Sequence, residues 1–133
     1  MKRKALVPFS FVLELLEDLQ PETRPMFGCT AVYVGEKIVL VLRDRPTAPE
    51  CNGIWIATTR DHHRSLKRDL PSLKSIAVLG EGETGWQMVS AQESDFETSA
   101  EQICEMVRAS DPRIGKVPKR RKTRRTLVAR VKG

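Results

Sequence analysis

The residues with the clearest chemical potential lie at the C-terminal end of the chain. Residues 111–133, here called the basic tail, contain ten lysines and arginines and one acidic residue, Asp111. Such a run of cations can neutralise phosphates of DNA or RNA, contact an acidic protein or approach an anionic membrane surface. The same composition also fits a solvated segment without a ligand, and both interpretations are kept. The candidate nucleic-acid-binding residues are Lys116, Lys119, Arg120, Arg121, Lys122, Arg124, Arg125, Arg130 and Lys132.

The net positive charge of the chain comes from this tail. Thirteen of the 23 basic residues and 16 of the 17 acidic residues precede position 111, which leaves the body at −3 and the tail at +9. High like charge and few large apolar groups predict that residues 116–132 are poorly ordered on their own. No aromatic residue is interleaved, so we expect non-specific binding without base stacking. Engaging about six phosphates would give a log–log salt slope of about −5.

The two histidines, His62 and His63, are adjacent, and Asp61 and Cys51 lie near them in the sequence. Adjacent residues of a helix point about 100° apart, which opposes joint coordination of one metal ion. The same adjacency offers no Ser-His-Asp or Cys-His arrangement for nucleophilic catalysis. A solvated helix start is the favoured interpretation.

The glycine-rich segment Gly80-Glu81-Gly82-Glu83-Thr84-Gly85 superficially resembles a phosphate-binding loop. It lacks the Lys-Ser/Thr ending of a P-loop, and its two glutamates would repel a phosphate. The glutamates would serve acid–base catalysis only within a pocket that the sequence does not show. We therefore predict a hairpin turn here, and the sequence indicates no cofactor.

The cysteines and tryptophans favour structural roles. Cys29, Cys51 and Cys104 form no CxxC pair, so neither a disulfide framework nor a zinc site is expected, and a reducing cytoplasm is the simplest compartment. Trp55 and Trp86 could stack a base or a sugar, but their aliphatic neighbours favour burial. The longest aliphatic run is too short to span a bilayer.

A predicted β-hairpin organises the rest of the chain. Residues 30–34 (TAVYV) and 38–42 (IVLVL) are β-branched or aliphatic, and Gly35-Glu36-Lys37 supplies a turn between them. The second strand is apolar on both faces, which places it in the middle of a covered sheet.

The remaining segments supply helices and flanking strands. The short connections predict an α+β two-layer domain, in which helices pack on one face of an antiparallel sheet, in the order α-βββ-α-ββ-α. Ser94 and Glu97 have the spacing of a capping box for the last helix. The predicted folded domain is residues 1–110, followed by the basic tail. The expected elements are a helix over 9–19, an edge strand over 23–27, a loop over 43–53, a strand over 54–58, a helix ending at 70, strands over 76–79 and 86–90, and a helix ending near 110.

The segment Arg24-Pro25-Met26-Phe27-Gly28 carries a family resemblance. It follows the first helix and precedes a short hairpin, as does the R-x-MFG segment in the N-terminal domain of the TfoX/Sxy competence-regulator family. The chain resembles that family over residues 9–110, and it resembles MmcQ/YjbR-like proteins more weakly. The resemblance implies a small non-enzymatic regulatory or interaction domain, with non-specific nucleic-acid contact supplied by the basic tail.

An alternative function is a small-ligand-binding protein or an enzyme with a cleft near Met26-Phe27-Gly28 or near residues 43–53. Met26 and Phe27 could line such a groove, but we expect both to be buried in the core, with Gly28 permitting a bend. Under that expectation, replacing Phe27 with alanine costs about 3–5 kcal/mol. The edge strand over 23–27 also allows a homodimer.

Overall fold

The computed structural model of the protein describes residues 7–76 and 85–117. These residues form a five-stranded antiparallel sheet with the strand order β1-β2-β3-β4-β5, and three α-helices. The predicted α+β class is therefore confirmed. The strands are β1 (Glu22–Met26), β2 (Cys29–Val34), β3 (Lys37–Arg43), β4 (Gly53–Ile56) and β5 (Gln87–Ser90), and the helices are α1 (Phe11–Leu15), α2 (His63–Asp69) and α3 (Phe96–Arg108).

The predicted hairpin forms the middle of the sheet. Strand β3 is central, and its residues from 38 to 43 are buried, because it carries apolar side chains on both faces. Gly35 has φ 65° and begins the two-residue turn between β2 and β3. Val32 of β2 pairs with Leu40 of β3, and the next residue, Tyr33, pairs with Ile38, so the register shifts there and Val39 has no partner in β2. Val39 is therefore a bulge residue, and the side chains on either side of it change faces.

One face of the sheet packs against the helices. Val12 and Leu16 from the α1 region contact the same core cluster as Leu40, Ile54 and Ile103. The ring of Phe96, at the start of α3, is tilted against the ring of Phe9 and packs edge-on against that of Phe11. Leu66 of α2 belongs to the same core cluster. Burial of these apolar side chains is the main favourable contribution to folding.

The opposite face carries a smaller apolar cluster with no residue from the three helices. Its centre is formed by Val41 of β3, Trp55 of β4 and Met88 of β5. The one-turn 3-10 helix Pro49–Cys51 and Ile76 cover part of it. This face is where the loop between β3 and β4 meets the sheet.

The elements differ from the predicted ones in several details. Four strands precede α2, as in the individually predicted segments, and β5 follows it, so the order α-βββ-α-ββ-α placed one strand too few before α2. Lys74, two residues before the predicted strand over 76–79, pairs with Met88 of β5 in an isolated bridge, and residues 77–79 lie outside the described residues. The predicted capping box is wrong: Asp95 is the N-cap of α3 without a side-chain cap bond, because its carboxylate accepts a hydrogen bond from Ser72 instead.

Helix α1 is shorter than predicted for a local reason. Phe9 has φ 52°, in the left-handed region, so the α-helix begins only at Phe11. After Leu15 the chain continues as a 3-10 turn over Glu17–Leu19, and Gln20 again has positive φ before Pro21. The predicted edge strand is present as β1, and its potential for homodimerisation stays a prediction.

Residues 111–117 of the basic tail pack against the body. Ile114 is buried in the helix-side core, and the backbone of Lys116 exchanges two hydrogen bonds with Ile38 of β3 (2.9 and 3.0 Å). Gly115 N–H donates to the carbonyl of Ala57 (2.7 Å). The predicted poor order of residues 116–132 is therefore wrong at Lys116, because the edge of β3 at Ile38, which β4 does not cover, supplies its backbone partners. Residues 118–132 lie outside the described residues.

An ion-pair network fixes the start of this segment. Arg113 contacts Asp111 (2.8 Å) and Asp69 (3.0 Å), and it donates to the hydroxyl of Ser65 (3.2 Å). The hydrogen bonds from Arg113 hold the pKa of Asp111 below its usual range. The packed part of the chain thus extends past residue 110, the predicted end of the domain.

Candidate ligand-binding site

The turn between β1 and β2 presents Phe27 to solvent. Met26 and Cys29 pair across a two-residue loop, in which Phe27 has φ 48° and Gly28 has φ 80°. Two positive φ values are the pattern of a type I′ turn. Phe27 is 92% exposed, so its predicted burial is wrong: the turn places it at the hairpin tip, outside the sheet. Met26 is half-buried and packs against the smaller apolar cluster.

Replacing Phe27 should have little effect on stability, contrary to the sequence-based expectation. We expect Phe27→Ala to change the free energy of unfolding by less than about 0.5 kcal/mol, because exposed side chains contribute little burial. Phe27→Asn should stabilise by about 0.5–1 kcal/mol, because asparagine tolerates positive φ in a type I′ turn. Urea denaturation measures both values. Leu40→Ala in the same sheet is the control and should cost about 2–5 kcal/mol; a comparable loss from Phe27→Ala would contradict the exposed position.

The loop between β3 and β4 is held by Asn52. Its Oδ1 accepts hydrogen bonds from the Arg45 backbone N–H (2.8 Å) and from Arg43 Nη1 (2.8 Å), and its Nδ2 donates to the Arg45 carbonyl (2.9 Å). Its own carbonyl accepts from Ala91 N–H (2.7 Å), which ties the loop to the end of β5. Asn52 therefore fixes both arginines relative to the sheet.

Arg43 is a buried cation without a carboxylate partner among the described residues. Its residue is 5% exposed, and its guanidinium donates to the carbonyls of Ala48 (2.9 Å) and Thr47 (3.0 Å) as well as to Asn52. No carboxylate lies within 4 Å of it in residues 7–76 and 85–117. A guanidinium has five N–H donors, so these three hydrogen bonds leave two donors, at Nε and on Nη2.

These groups surround a cavity of about 270 Å³ on the sheet face opposite the helices. Arg45, from the loop, reaches over the turn, and its Nη1 lies 3.4 Å from the Gly28 carbonyl. A Cβ atom on Gly28 would collide with this guanidinium, so glycine leaves room for it. The cavity, here called the Arg43 cavity, is lined by Met26, Phe27, Cys29, Val41, Arg43, Arg45 and Trp55.

The pKa of the Cys29 thiol is affected by both arginines. Burial raises the pKa of the Cys29 thiol, and the charges of Arg43 and Arg45 partly oppose that increase. Both guanidinium groups are therefore within electrostatic range of the same point in the cavity. Asp44 and Glu50 belong to the same loop, but neither forms an ion pair with the two arginines in the described part of the chain.

The other residues singled out in the sequence do not join this site. Arg24 lies on the exposed strand β1, where its guanidinium sits 4.4 Å above the Tyr33 ring. His63 Nε2 is 2.9 Å from the Gly85 carbonyl. Lys116 is placed by its backbone bonds to β3. The remaining candidates Lys119, Arg120, Arg121, Lys122, Arg124, Arg125, Arg130 and Lys132, and residues 80–84 of the glycine-rich segment, lie outside the described residues.

The predicted burial is confirmed for Trp55, whereas Trp86 is half-buried. Trp55 is buried and its indole N–H donates to the Cys51 carbonyl (3.0 Å), but one part of its ring lines the Arg43 cavity. Cys51 and Cys104 are buried, and burial raises the pKa of Cys104 to about 11. Within the two described ranges, no three His, Cys, Asp or Glu side chains are grouped to hold a metal ion.

The sequence indicated a candidate cleft near these segments, with Met26 and Phe27 as possible lining residues, but did not single out Arg43 or Arg45. Arg43 and Val41 are two positions apart on β3, so strand alternation places them on the same face. A charged residue ending a fully apolar strand was thus a usable signal for a buried cation. The contribution of Arg45 depends on a loop conformation that no local pattern specifies.

Comparison of the chain with protein-family models, curated proteins and solved structures found no match. None of the helices in residues 7–76 and 85–117 has the length and apolar character needed to cross a membrane.

Proposed function

We propose that this protein is a small non-enzymatic regulatory domain that binds a small ligand in the Arg43 cavity. The observation that carries this proposal is the buried guanidinium of Arg43, which has three neutral hydrogen-bond acceptors and no counter-charge among the described residues. The resemblance of residues 24–28 to the TfoX N-terminal domain supports the regulatory part of the proposal.

The buried charge of Arg43 carries an energetic cost. Removing a cation from water is unfavourable, and proteins normally offset this cost with an opposite charge as well as hydrogen bonds. At the Arg43 cavity the described part of the protein supplies the hydrogen bonds only. An anionic group on a ligand would supply the missing charge, and it would do so beside an apolar wall formed by Trp55 and Val41.

The conformation of Phe27 supports a binding role for the same site. A large aromatic residue with positive φ is strained, and such strain often marks functional positions. Phe27 contributes no core burial that would offset the strain, and it lines the mouth of the cavity. We therefore assign it to ligand contact.

A metabolite-library screen tests the proposal directly. Hits from a thermal-shift screen would be mapped by two-dimensional ¹H–¹⁵N NMR, in which the Trp55 indole N–H reports on the cavity. Alkylation of Cys29 gives a second readout, because Cys51 and Cys104 are buried and Cys29 is partly exposed. We expect a bound ligand to shift the Trp55 signal and slow Cys29 alkylation.

Arg45→Gln is the variant that tests the site without removing a buried group. Arg45 is exposed and its side chain makes one long contact, with Gly28, so the fold should be retained. We expect ligand affinity to fall at least about fivefold, because one charge-assisted contact is lost. Arg68→Gln on the exposed side of α2 is the matched control for charge. A library without hits, or hits whose signals lie away from the cavity, would remove the proposal.

The basic tail supports a second candidate function, which is non-specific contact with nucleic acid. The supporting observation is the concentration of ten cations in residues 111–133. The test compares the full chain with a protein ending at Val117, titrated with unrelated DNA duplexes at several salt concentrations. We expect the full chain to bind with a salt slope of about −5 and the shortened protein to bind far more weakly. Equal affinities would exclude this role for residues 118–133.

A further inference from the structure

We infer that the ligand of the Arg43 cavity is a small carboxylate with a planar apolar body, with its carboxylate against Arg43 and Arg45. The inference rests on the proposed function of the cavity and specifies the chemistry of its occupant. It follows from the donors that remain after the hydrogen bonds within the protein, from the rest of the lining and from the size of the space.

The hydrogen-bond donors at the charged end of the site are the guanidinium N–H groups of Arg43 and Arg45. Arg43 retains an N–H at Nε and one on Nη2 after its three hydrogen bonds. Arg45 makes one side-chain contact within the described residues, at 3.4 Å to the Gly28 carbonyl, so most of its donors are unused there. Guanidinium groups match the planar geometry of a carboxylate and bind it through paired hydrogen bonds.

The rest of the lining disfavours a phosphate. A phosphate dianion presents three oxygens that all need donors when they leave water. Apart from the two arginines, the lining residues are Met26, Phe27, Cys29, Val41 and Trp55, and the indole N–H of Trp55 already donates to Cys51. The two N–H groups that remain on the buried Arg43 can satisfy both oxygens of a carboxylate, whereas the third oxygen of a phosphate would depend on the exposed Arg45.

The apolar lining and the volume define the other end of the ligand. Trp55 and Phe27 offer aromatic surfaces, and Met26 offers a thioether that adapts to a ring. A cavity of about 270 Å³ lies below the usual range for drug-sized ligands, which is about 300–1,000 Å³. The space therefore fits a single ring or a short hydrocarbon chain rather than a nucleotide.

A panel of small probes tests this chemistry. Benzoate and 3-phenylpropionate supply the carboxylate and the planar body, benzamide is the neutral analogue of benzoate, and phenyl phosphate and inorganic phosphate supply the competing anion. Titrations at low salt would follow the Trp55 indole signal and the rate of Cys29 alkylation. We expect the two carboxylates to bind at least about tenfold more tightly than benzamide and the phosphates.

The variants separate charge recognition from general binding. Arg45→Gln should weaken benzoate about five- to tenfold and leave the weak binding of benzamide unchanged, whereas Arg68→Gln should change neither. Amide spectra of both variants verify that the fold is retained. This pattern would confirm that Arg45 recognises the carboxylate.

The alternative outcomes distinguish the ligand class from the proposed function. Benzamide binding as tightly as benzoate, or phenyl phosphate binding more tightly, would overturn the carboxylate inference while leaving the Arg43 cavity as a ligand site. Failure of the whole panel together with library hits of another class at the cavity would also overturn only the ligand class. Failure of both the panel and the library would overturn the proposed function as well.

Discussion

Removing residues 111–133 should lower the free energy of unfolding of the body by about 3–5 kcal/mol, whereas removing residues 118–133 should change it little. The sequence alone favoured a body that folds normally after truncation at Ser110. The structure gives the opposite expectation, because Ile114 is 3% exposed and lies in the main core. Truncation at Ser110 also leaves Ile38 without its two backbone partners on Lys116.

Urea denaturation of the two shortened proteins and the full chain measures this difference. Ile114→Ala in the full chain isolates the apolar contribution and should account for about 2–4 kcal/mol of the loss. Lys116→Gln is the matched control, because Lys116 is held through its backbone, and we expect a change of less than about 0.5 kcal/mol. Equal midpoints for proteins ending at Ser110 and at Val117 would show that residues 111–117 do not stabilise the body.

The difference in stability between the proteins ending at Ser110 and at Val117 should depend on pH. The folded-state pKa of Asp111 is lowered, chiefly by its hydrogen bond from Arg113. A lowered pKa contributes stability that is present above the unfolded value, which is 3.8, and that is lost as the pH falls below it. The advantage of the protein ending at Val117 over the protein ending at Ser110 should therefore narrow as the pH falls below about 4. An advantage that stays constant down to pH 2 would remove Asp111 as a source of stability.

The central hairpin was predictable because its signals are local and mutually consistent. Residues 38–42 are apolar at every position, which requires cover on both faces, and Gly35 supplies the positive φ of the turn. Helix α3 was likewise predictable from its apolar periodicity. Its capping was not, because Ser72, 23 residues away, binds the Asp95 carboxylate.

The candidate site was only partly predictable because it depends on a turn type and on a long loop. The apolar side chains of Met26 and Phe27 predict burial in the core. The two-residue loop, with its two positive φ values, instead turns Phe27 outward into solvent. The position of Arg45 over Gly28 depends on Asn52, which fixes the loop through tertiary hydrogen bonds. The packing of residues 111–117 was not predictable either, because Lys116 pairs with the backbone edge of β3 and no side-chain pattern in the sequence indicates that pairing.

Strand β3 separates the Arg43 cavity from Lys116, the one candidate nucleic-acid-binding residue that lies within the described residues. The tail segment pairs with Ile38 near the start of this strand, and Arg43 stands at its end. Five residues of extended chain span about 17 Å, so the Arg43 cavity and the start of the basic tail lie well apart. Mutations at Arg45 should therefore leave the pairing of Lys116 with β3 unchanged.

Gly53→Ala should be among the most destabilising single substitutions in the protein, at about 3–5 kcal/mol. Gly53 has φ 143°, where an L residue is strained, and it begins β4 directly after Asn52. A Cβ atom there would collide with the Val89 carbonyl and lie 2.8 Å from the Ala91 nitrogen. Both groups are backbone atoms of the paired β5 region, so they cannot rotate away as a side chain would.

Gly35→Ala provides the matched control for this prediction. Gly35 also has a positive φ, 65°, but no described atom lies within 4 Å of the point that a Cβ atom would occupy. Its substitution therefore reports the conformational cost alone, about 1–2 kcal/mol. Urea denaturation measures the loss in the free energy of unfolding for each variant, and the extra loss in Gly53→Ala is the cost of the collision. The Trp55 indole signal shows whether the wall of the Arg43 cavity moves with β4. Equal losses of unfolding free energy for the two variants would mean that the β5 backbone shifts at little cost. The close approach of β4 and β5 at Gly53 would then not constrain the Arg43 cavity.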